Sequence, residues 1–106
     1  IEILEPTLVE LLGATCLYAM AETVEEAVKR GIPKEAAVSF LTGHIYNLSA
    51  NFLGYIPGNP PVSDACKVAI GLGNRLVMRE DWKQIWKDDV LDKVIATMLH
   101  PENPQI

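Results

Sequence analysis

The sequence is poor in the residues that form nucleic-acid-binding or anionic-membrane-binding surfaces. Its 9 Lys and Arg residues are scattered along the chain and outnumbered by 14 Asp and Glu residues, which gives a formal net charge of -5. Binding to phosphate groups draws on clustered Lys and Arg side chains. We therefore expect neither a nucleic acid nor an anionic membrane as a partner.

Residues that bind metals or form disulfides are also scarce. The chain has 2 histidines and 2 cysteines, without Cys-x-x-Cys or His-x-x-x-His spacing, which argues against a self-contained zinc site. Cys16 and Cys66 both lie in apolar runs, where a reduced cysteine behaves as a small buried hydrophobe. This pattern allows a structural disulfide but does not indicate one. We expect a cytoplasmic protein.

The chain lacks a phosphate loop and a clear membrane span. Gly71-Leu72-Gly73 has no third glycine, no preceding strand and no acidic residue downstream, so a nucleotide would have to bind elsewhere. The apolar run Leu8 to Ala21 is interrupted by Glu10 and is shorter than the roughly 20 residues that a bilayer requires. We interpret it as a core helix. The start at Ile1, without Met, indicates a fragment of a longer protein.

Helical periodicity dominates what is present, and no alternating strand pattern of useful length occurs. A chain of 106 residues with 49% hydrophobic residues is typical of one folded domain, here residues 1–106. We predict an all-α bundle of about five helical segments. The predicted segments are Pro6 to Arg30, Lys34 to Leu53, Asp64 to Val77, a short turn from Glu80 to Lys87, and Asp89 to Leu99.

Several features of these segments predict how they pack. The first half of the first helix is apolar nearly all round, which is typical of a helix buried centrally or in a subunit interface. Gly71 and Gly73 each cost about 1 kcal/mol in a helix, so we expect close helix contact there. Three prolines between Tyr55 and Val62 predict an ordered or semi-rigid loop. Trp82 and Trp86 are interpreted as core or interface anchors.

A polar row on the second helix is the leading candidate for a functional surface. His44, Asn47 and Asn51 stand at i, i+3 and i+7 within an otherwise apolar segment, hence on one face. Unpaired buried polar groups cost about 1 to 3 kcal/mol each, and the hydroxyl groups of a substrate could pair with them. The alternative is that His44 bonds a backbone carbonyl while the asparagines face solvent or cap a neighbouring helix.

Two carboxylates on the first helix form the second candidate. Glu10 is the sole charge between Leu8 and Met20, and a buried carboxylate there would need a cation, a metal or a strong donor. With Glu5 it could bind a divalent metal or act as a general base. The alternative, preferred for Glu5, is a solvated carboxylate stabilised by the helix dipole.

Lys67 is the third candidate, as a residue that binds an anionic group of the substrate. The preferred alternative is a surface lysine with its stem on apolar residues. Ser63 lies four residues before Lys67, so the two could form a nucleophile pair, although this spacing is common by chance.

Short motifs in a fixed order give the chain a family resemblance. They are Leu4-Glu5-Pro6-Thr7-Leu8-Val9-Glu10, Arg30-Gly31-Ile32-Pro33, Gly43-His44, Ser63-Asp64-Ala65 and Asp81-Trp82. In this order they resemble the carboxy-terminal domain of the phosphogluconate-dehydrogenase-like oxidoreductases, particularly the branch that acts on apionate and related sugar acids. The resemblance covers nearly the whole chain.

The resemblance implies a missing amino-terminal Rossmann domain that binds NAD or NADP, a homodimer, and a small acid as substrate. It also implies that Glu5 or Glu10, with His44, contributes to a substrate or metal site at the domain junction. One departure concerns Lys67. In related hydroxyacid dehydrogenases the catalytic lysine is followed four residues later by asparagine, whereas Lys67 is followed at that distance by Gly71.

Two functions therefore follow from the sequence. In the first, the chain is the substrate-side and dimerisation domain of an NAD(P)-dependent dehydrogenase and is inactive in isolation. In the second, it is a non-catalytic helical module whose apolar first helix and two tryptophans bind another protein.

Overall fold

The chain folds into helices throughout the part that the structure describes. The structure, a computed structural model, describes residues 4–55 and 62–106, with side chains from residue 7 onward. Within these ranges all regular secondary structure is helical, so the all-α prediction is confirmed. The elements are α1 (Leu4–Lys29), α2 (Lys34–Leu53), α3 (Asp64–Leu76), a 3₁₀ helix (Trp82–Trp86) and α4 (Asp88–Leu99).

The helix ends follow the residues that the sequence provides for them. α1 begins two residues before Pro6, which still lies in the first turn, where backbone N–H groups have no intrahelical partner. It ends before Gly31, whose φ of 96° suits a residue without a side chain. Ser63 begins α3 as an N-cap, because its Oγ accepts a hydrogen bond of 3.1 Å from the backbone N–H of Cys66.

Gly54 ends α2 in the left-handed conformation, with φ 67° and a 3.1 Å hydrogen bond from its N–H to the Ala50 carbonyl. Gly54→Ala is expected to lower the free energy of unfolding by about 1 kcal/mol, because a side chain strains this conformation. Gly43→Ala in the same helix is the control: an added Cβ there meets nothing within 4 Å, and helix propensity predicts a gain of roughly 0.5–1 kcal/mol. Urea unfolding measures the free energy of unfolding of both variants. If Gly43→Ala loses as much stability as Gly54→Ala, the left-handed conformation of Gly54 is not the cause of the loss.

The chain divides into two compact units. The first combines Ile1–Met20 with Arg79–Ile106. In it the 3₁₀ helix contacts α4, and Leu91 and Val94 of α4 are buried. The rings of Trp82 and Trp86 meet edge to face, with centroids 5.2 Å apart, which is a favoured aromatic geometry.

The second unit is Ala21–Met78. Its most buried side chain among the described residues is Ala50 of α2, at 1% exposure. Glu25 pairs with Lys34 across the turn between α1 and α2 at 3.4 Å. Arg30 and then Lys29 donate hydrogen bonds to Glu26 and lower the pKa of its carboxyl group. These pairs are solvent-exposed, and such pairs contribute little to stability.

The apolar part of α1 is largely exposed in this chain, so the prediction of a central core helix was wrong. Val9, Leu17 and Tyr18 are 66%, 52% and 73% exposed. Thr7–Lys29 is also long and apolar enough to cross a membrane, by length and composition alone. The apolar run was predicted to be too short for a bilayer, but the helix does not end at Ala21 and continues to Lys29. For the apolar half of α1 a subunit interface remains the prediction.

Two further predictions concern the middle of the chain. An added Cβ at Gly71 or Gly73 meets nothing within 4 Å, so close helix contact among the described residues does not explain these glycines, and that expectation was wrong. The predicted loop from Tyr55 to Val62 has residues 56–61 outside the part that the structure describes.

Candidate functional site

The polar row lies along one side of α2, as its spacing predicts. His44 and Asn47 are exposed, and Asn51 is half-buried. Unbroken helix from Lys34 to Leu53 places them on neighbouring turns. The premise that the row is buried was wrong, so desolvation alone does not require a ligand to pair with it.

His44 has a defined environment made by the residue one turn earlier. Its Nδ1 lies 2.9 Å from the main-chain carbonyl oxygen of Phe40. The Phe40 ring lies against the imidazole, with centroids 4.1 Å apart and planes tilted by 30°. The predicted alternative, a bond from His44 to a backbone carbonyl, is therefore confirmed, while any catalytic role of His44 stays a prediction.

Asn51 makes the corresponding contact further along α2. Its Nδ2 donates a hydrogen bond of 3.0 Å to the main-chain carbonyl oxygen of Asn47. The side chain is thus held on the row by its own helix rather than by a neighbouring one. The contact between the Phe40 ring and the His44 imidazole was not predicted, although the i, i+4 spacing of these two residues is the signal that could have revealed it.

The carboxylate candidates form no metal centre in the described part of the chain. Glu10 is exposed, which agrees with the alternative of a solvated carboxylate. The side chain of Glu5 lies outside the described residues. Among residues 7–55 and 62–106 no three His, Cys, Asp or Glu side chains come together to hold a metal ion. These residues therefore do not fit a complete metal site.

Lys67 and Ser63 have structural partners within the first turns of α3. The Lys67 ammonium lies 3.9 Å from the Asp64 carboxylate, with 66% of the lysine side chain exposed. The Ser63 hydroxyl serves as the helix N-cap. This arrangement gives Ser63 no activating base, so it does not support a nucleophile pair. Binding of an acid by Lys67 stays a prediction.

An apolar groove in the first unit was not predicted. It has a volume of about 400 Å³ and is lined by six apolar residues and one carboxylate: Leu8, Val9, Leu12, Ile85, Trp86, Leu91 and Asp88. Trp86 is 54% exposed, which agrees with its interpretation as an interface anchor better than as a core residue. Lys83 lies over both tryptophan rings, 5.8 and 5.6 Å from their centroids, in cation–π geometry.

The described residues also do not fit a dinucleotide site. Gly71 and Gly73 lie inside α3, not in a turn between a strand and a helix, and the latter context is what lets a glycine-rich loop hold a pyrophosphate. Cys16 and Cys66 are free, half-buried thiols.

Comparison with known proteins gives these features a family context. The D-apionate oxidoisomerase of Blautia hydrogenotrophica is 92% identical over 106 residues, which are all of this chain and 37% of that protein. The protein of the same name from Cupriavidus necator is 42% identical over 93 residues, or 33% of its length. This chain therefore spans about a third of these relatives.

A solved structure agrees with the fold. It is a crystal structure of a semialdehyde dehydrogenase NAD-binding protein from Cupriavidus necator in complex with calcium and NAD. It matches 89% of this chain with a TM-score of 0.78 and 42% identity, and the match covers 33% of that protein. The family profile described as phosphogluconate dehydrogenase (decarboxylating) C-term matches residues 1–99. The chain belongs to this phosphogluconate dehydrogenase carboxy-terminal family.

Proposed function

We propose that this chain is the carboxy-terminal, substrate-side domain of an enzyme that oxidises a hydroxy or sugar acid with NAD or NADP. The observation that carries the proposal is the match of residues 1–99 to the dehydrogenase family. The name D-apionate oxidoisomerase, borne by the Blautia hydrogenotrophica relative at 92% identity, supports a sugar acid as substrate. Because the chain spans about a third of such relatives, the nicotinamide site is assigned to an amino-terminal Rossmann domain.

The contribution of this chain is to bind and orient the substrate. His44, Asn47 and Asn51 offer uncharged hydrogen-bonding groups that suit hydroxyl groups, while Lys67 suits the carboxylate. The nicotinamide supplies the redox chemistry when bound, and the helical domain supplies position and proton handling. Glu10 stays a candidate acid or base, and Glu5 with Glu10 a candidate metal pair completed by the rest of the protein.

The exposed apolar side chains support the second part of the proposal, a homodimer. α1 exposes the large apolar side chains of Val9, Leu17 and Tyr18, and a second subunit that covers α1 would remove them from water. If another subunit covers α1, the apolar composition of this helix does not require a membrane. On that basis we propose that the protein is cytoplasmic.

A calorimetric titration with NAD tests the assignment of the nicotinamide site. The full-length protein is expected to bind NAD, whereas this chain alone is expected to show no binding tighter than about 1 mM. The reason is that no described segment of the chain combines a strand, a glycine-rich turn and a helix. Tight binding by the chain alone would place the nucleotide site here and defeat the proposal.

The alternative function is a non-catalytic helical module. The apolar groove beside Trp86 and the exposed face of α1 favour it, since both would serve any protein partner. Full-length protein that binds neither NAD nor a sugar acid, yet forms a stable oligomer, would support this alternative.

A further inference from the structure

Two hydrogen bonds along α2 determine which atoms of the polar row are left for a ligand. A backbone carbonyl oxygen can only accept, so Nδ1 of His44, 2.9 Å from the Phe40 oxygen, must carry a proton. In a neutral imidazole Nε2 is then an acceptor. By the same reasoning Nδ2 of Asn51 donates to Asn47, and its Oδ1 is left as an acceptor.

The carbonyl and the ring of Phe40 restrict the His44 imidazole in two different ways. Rotating the imidazole by half a turn would replace Nδ1 by a carbon and lose the bond to the carbonyl oxygen. The Phe40 ring, with its centroid 4.1 Å from that of the imidazole and its plane tilted by 30°, holds the plane of the imidazole, and the bond to the carbonyl oxygen selects between the two orientations in that plane. One residue therefore contacts His44 twice, through its main chain and through its ring.

We infer that Phe40 is a positioning residue that holds His44 as a base, with Nε2 as the atom that takes the proton of a substrate hydroxyl group. The inference rests on the proposed function. In the reaction the O–H proton passes to Nε2, the hydrogen on the same carbon leaves as hydride to a nicotinamide held elsewhere in the protein, and a C=O bond forms.

The contact with Phe40 persists after the proton has moved. The imidazolium keeps its Nδ1–H, so it still donates to the Phe40 oxygen, and this charge-assisted bond is stronger than the neutral one. No rearrangement of the ring is needed between the two protonation states. The remaining acceptors, Nε2 of His44 and Oδ1 of Asn51, match hydroxyl donors, which separates this row from a carboxylate-binding site.

Nitrogen NMR of the full-length protein, labelled with ¹⁵N at histidine, tests the inference. The His44 signals are assigned by their loss in His44→Gln. At a pH where the ring is neutral, we expect Nδ1 to be protonated and Nε2 unprotonated. A neutral ring with its proton on Nε2 would overturn the inference, and this readout does not depend on turnover.

Substitution of Phe40 separates positioning from general packing. Phe40→Leu keeps the carbonyl but removes the ring that holds the imidazole plane. The bond from Nδ1 to the carbonyl oxygen is then made for less of the time, so we expect a mixture of tautomers and a loss of roughly 10-fold in turnover. Phe40→Tyr, which keeps the ring, is expected to restore both. If Phe40→Leu fails to fold, Phe40→Met replaces it. Wild-type tautomer and turnover in the ring-less variant would refute the positioning role. A second outcome separates the two roles. If wild-type His44 has the expected tautomer but His44→Gln turns over as fast as wild type, His44 does not take the substrate proton, while its positioning by Phe40 still holds.

Discussion

His44→Ala in the full-length protein is expected to lower kcat/KM for its sugar-acid substrate by at least about 100-fold, while its melting temperature stays close to wild type. A positioned general base contributes about 10²- to 10⁴-fold to a rate. His44 is exposed and bonds only its own helix in the contacts described above, so its removal leaves no cavity in the core. Steady-state kinetics with thermal unfolding of the same sample measures both quantities.

Thr42→Ala is the matched control for this experiment. Thr42 is exposed and donates a hydrogen bond of 3.0 Å to the carbonyl oxygen of Val38, four residues earlier, much as His44 does to Phe40. It lies about 200° around α2 from His44, away from the polar row. Unchanged turnover in Thr42→Ala with a large loss in His44→Ala supports the proposed site. Equal turnover in both variants would remove His44 from the mechanism.

The sequence predicted the helices well because their signals are local. α2 has the predicted bounds, Lys34–Leu53, since Pro33 and Gly54 restrict the backbone on either side. The short turn predicted from Glu80 to Lys87 is a 3₁₀ helix over Trp82–Trp86. Each of these features depends on residues within one or two turns of each other, and such interactions can be read from sequence.

Burial was predicted poorly because it depends on what covers each face. The apolar half of α1 carries the composition of a core helix, yet Leu17 and Tyr18 are more than half exposed in this chain. A hydrophobic face looks the same in sequence whether it packs on its own domain or on another one. The expected burial of His44 failed for the same reason. The alignment of His44 with Asn51 could be predicted, because helical spacing alone determines it.

The buried residues of α4 are expected to control the stability of the first unit. Leu91 is 5% exposed and lies on the same helix as Val94, which is 8% exposed. Leu91→Ala is expected to lower the free energy of unfolding by about 2 to 3 kcal/mol, near the lower end for a buried leucine. The lower end applies because Leu91 also lines an open groove, where solvent and neighbouring side chains can fill part of the space left behind.

Leu99→Ala on the same helix provides the control, since Leu99 is 56% exposed and its truncation is expected to cost less than about 1 kcal/mol. Urea unfolding followed by tryptophan fluorescence suits the comparison, because Trp82 and Trp86 lie in the 3₁₀ helix that contacts α4. If the two variants lose equal stability in the isolated chain, the first unit has no core centred on α4. If Leu99→Ala becomes the more damaging variant in the full-length protein, the exposed end of α4 is covered there by another part of the protein or by a second subunit.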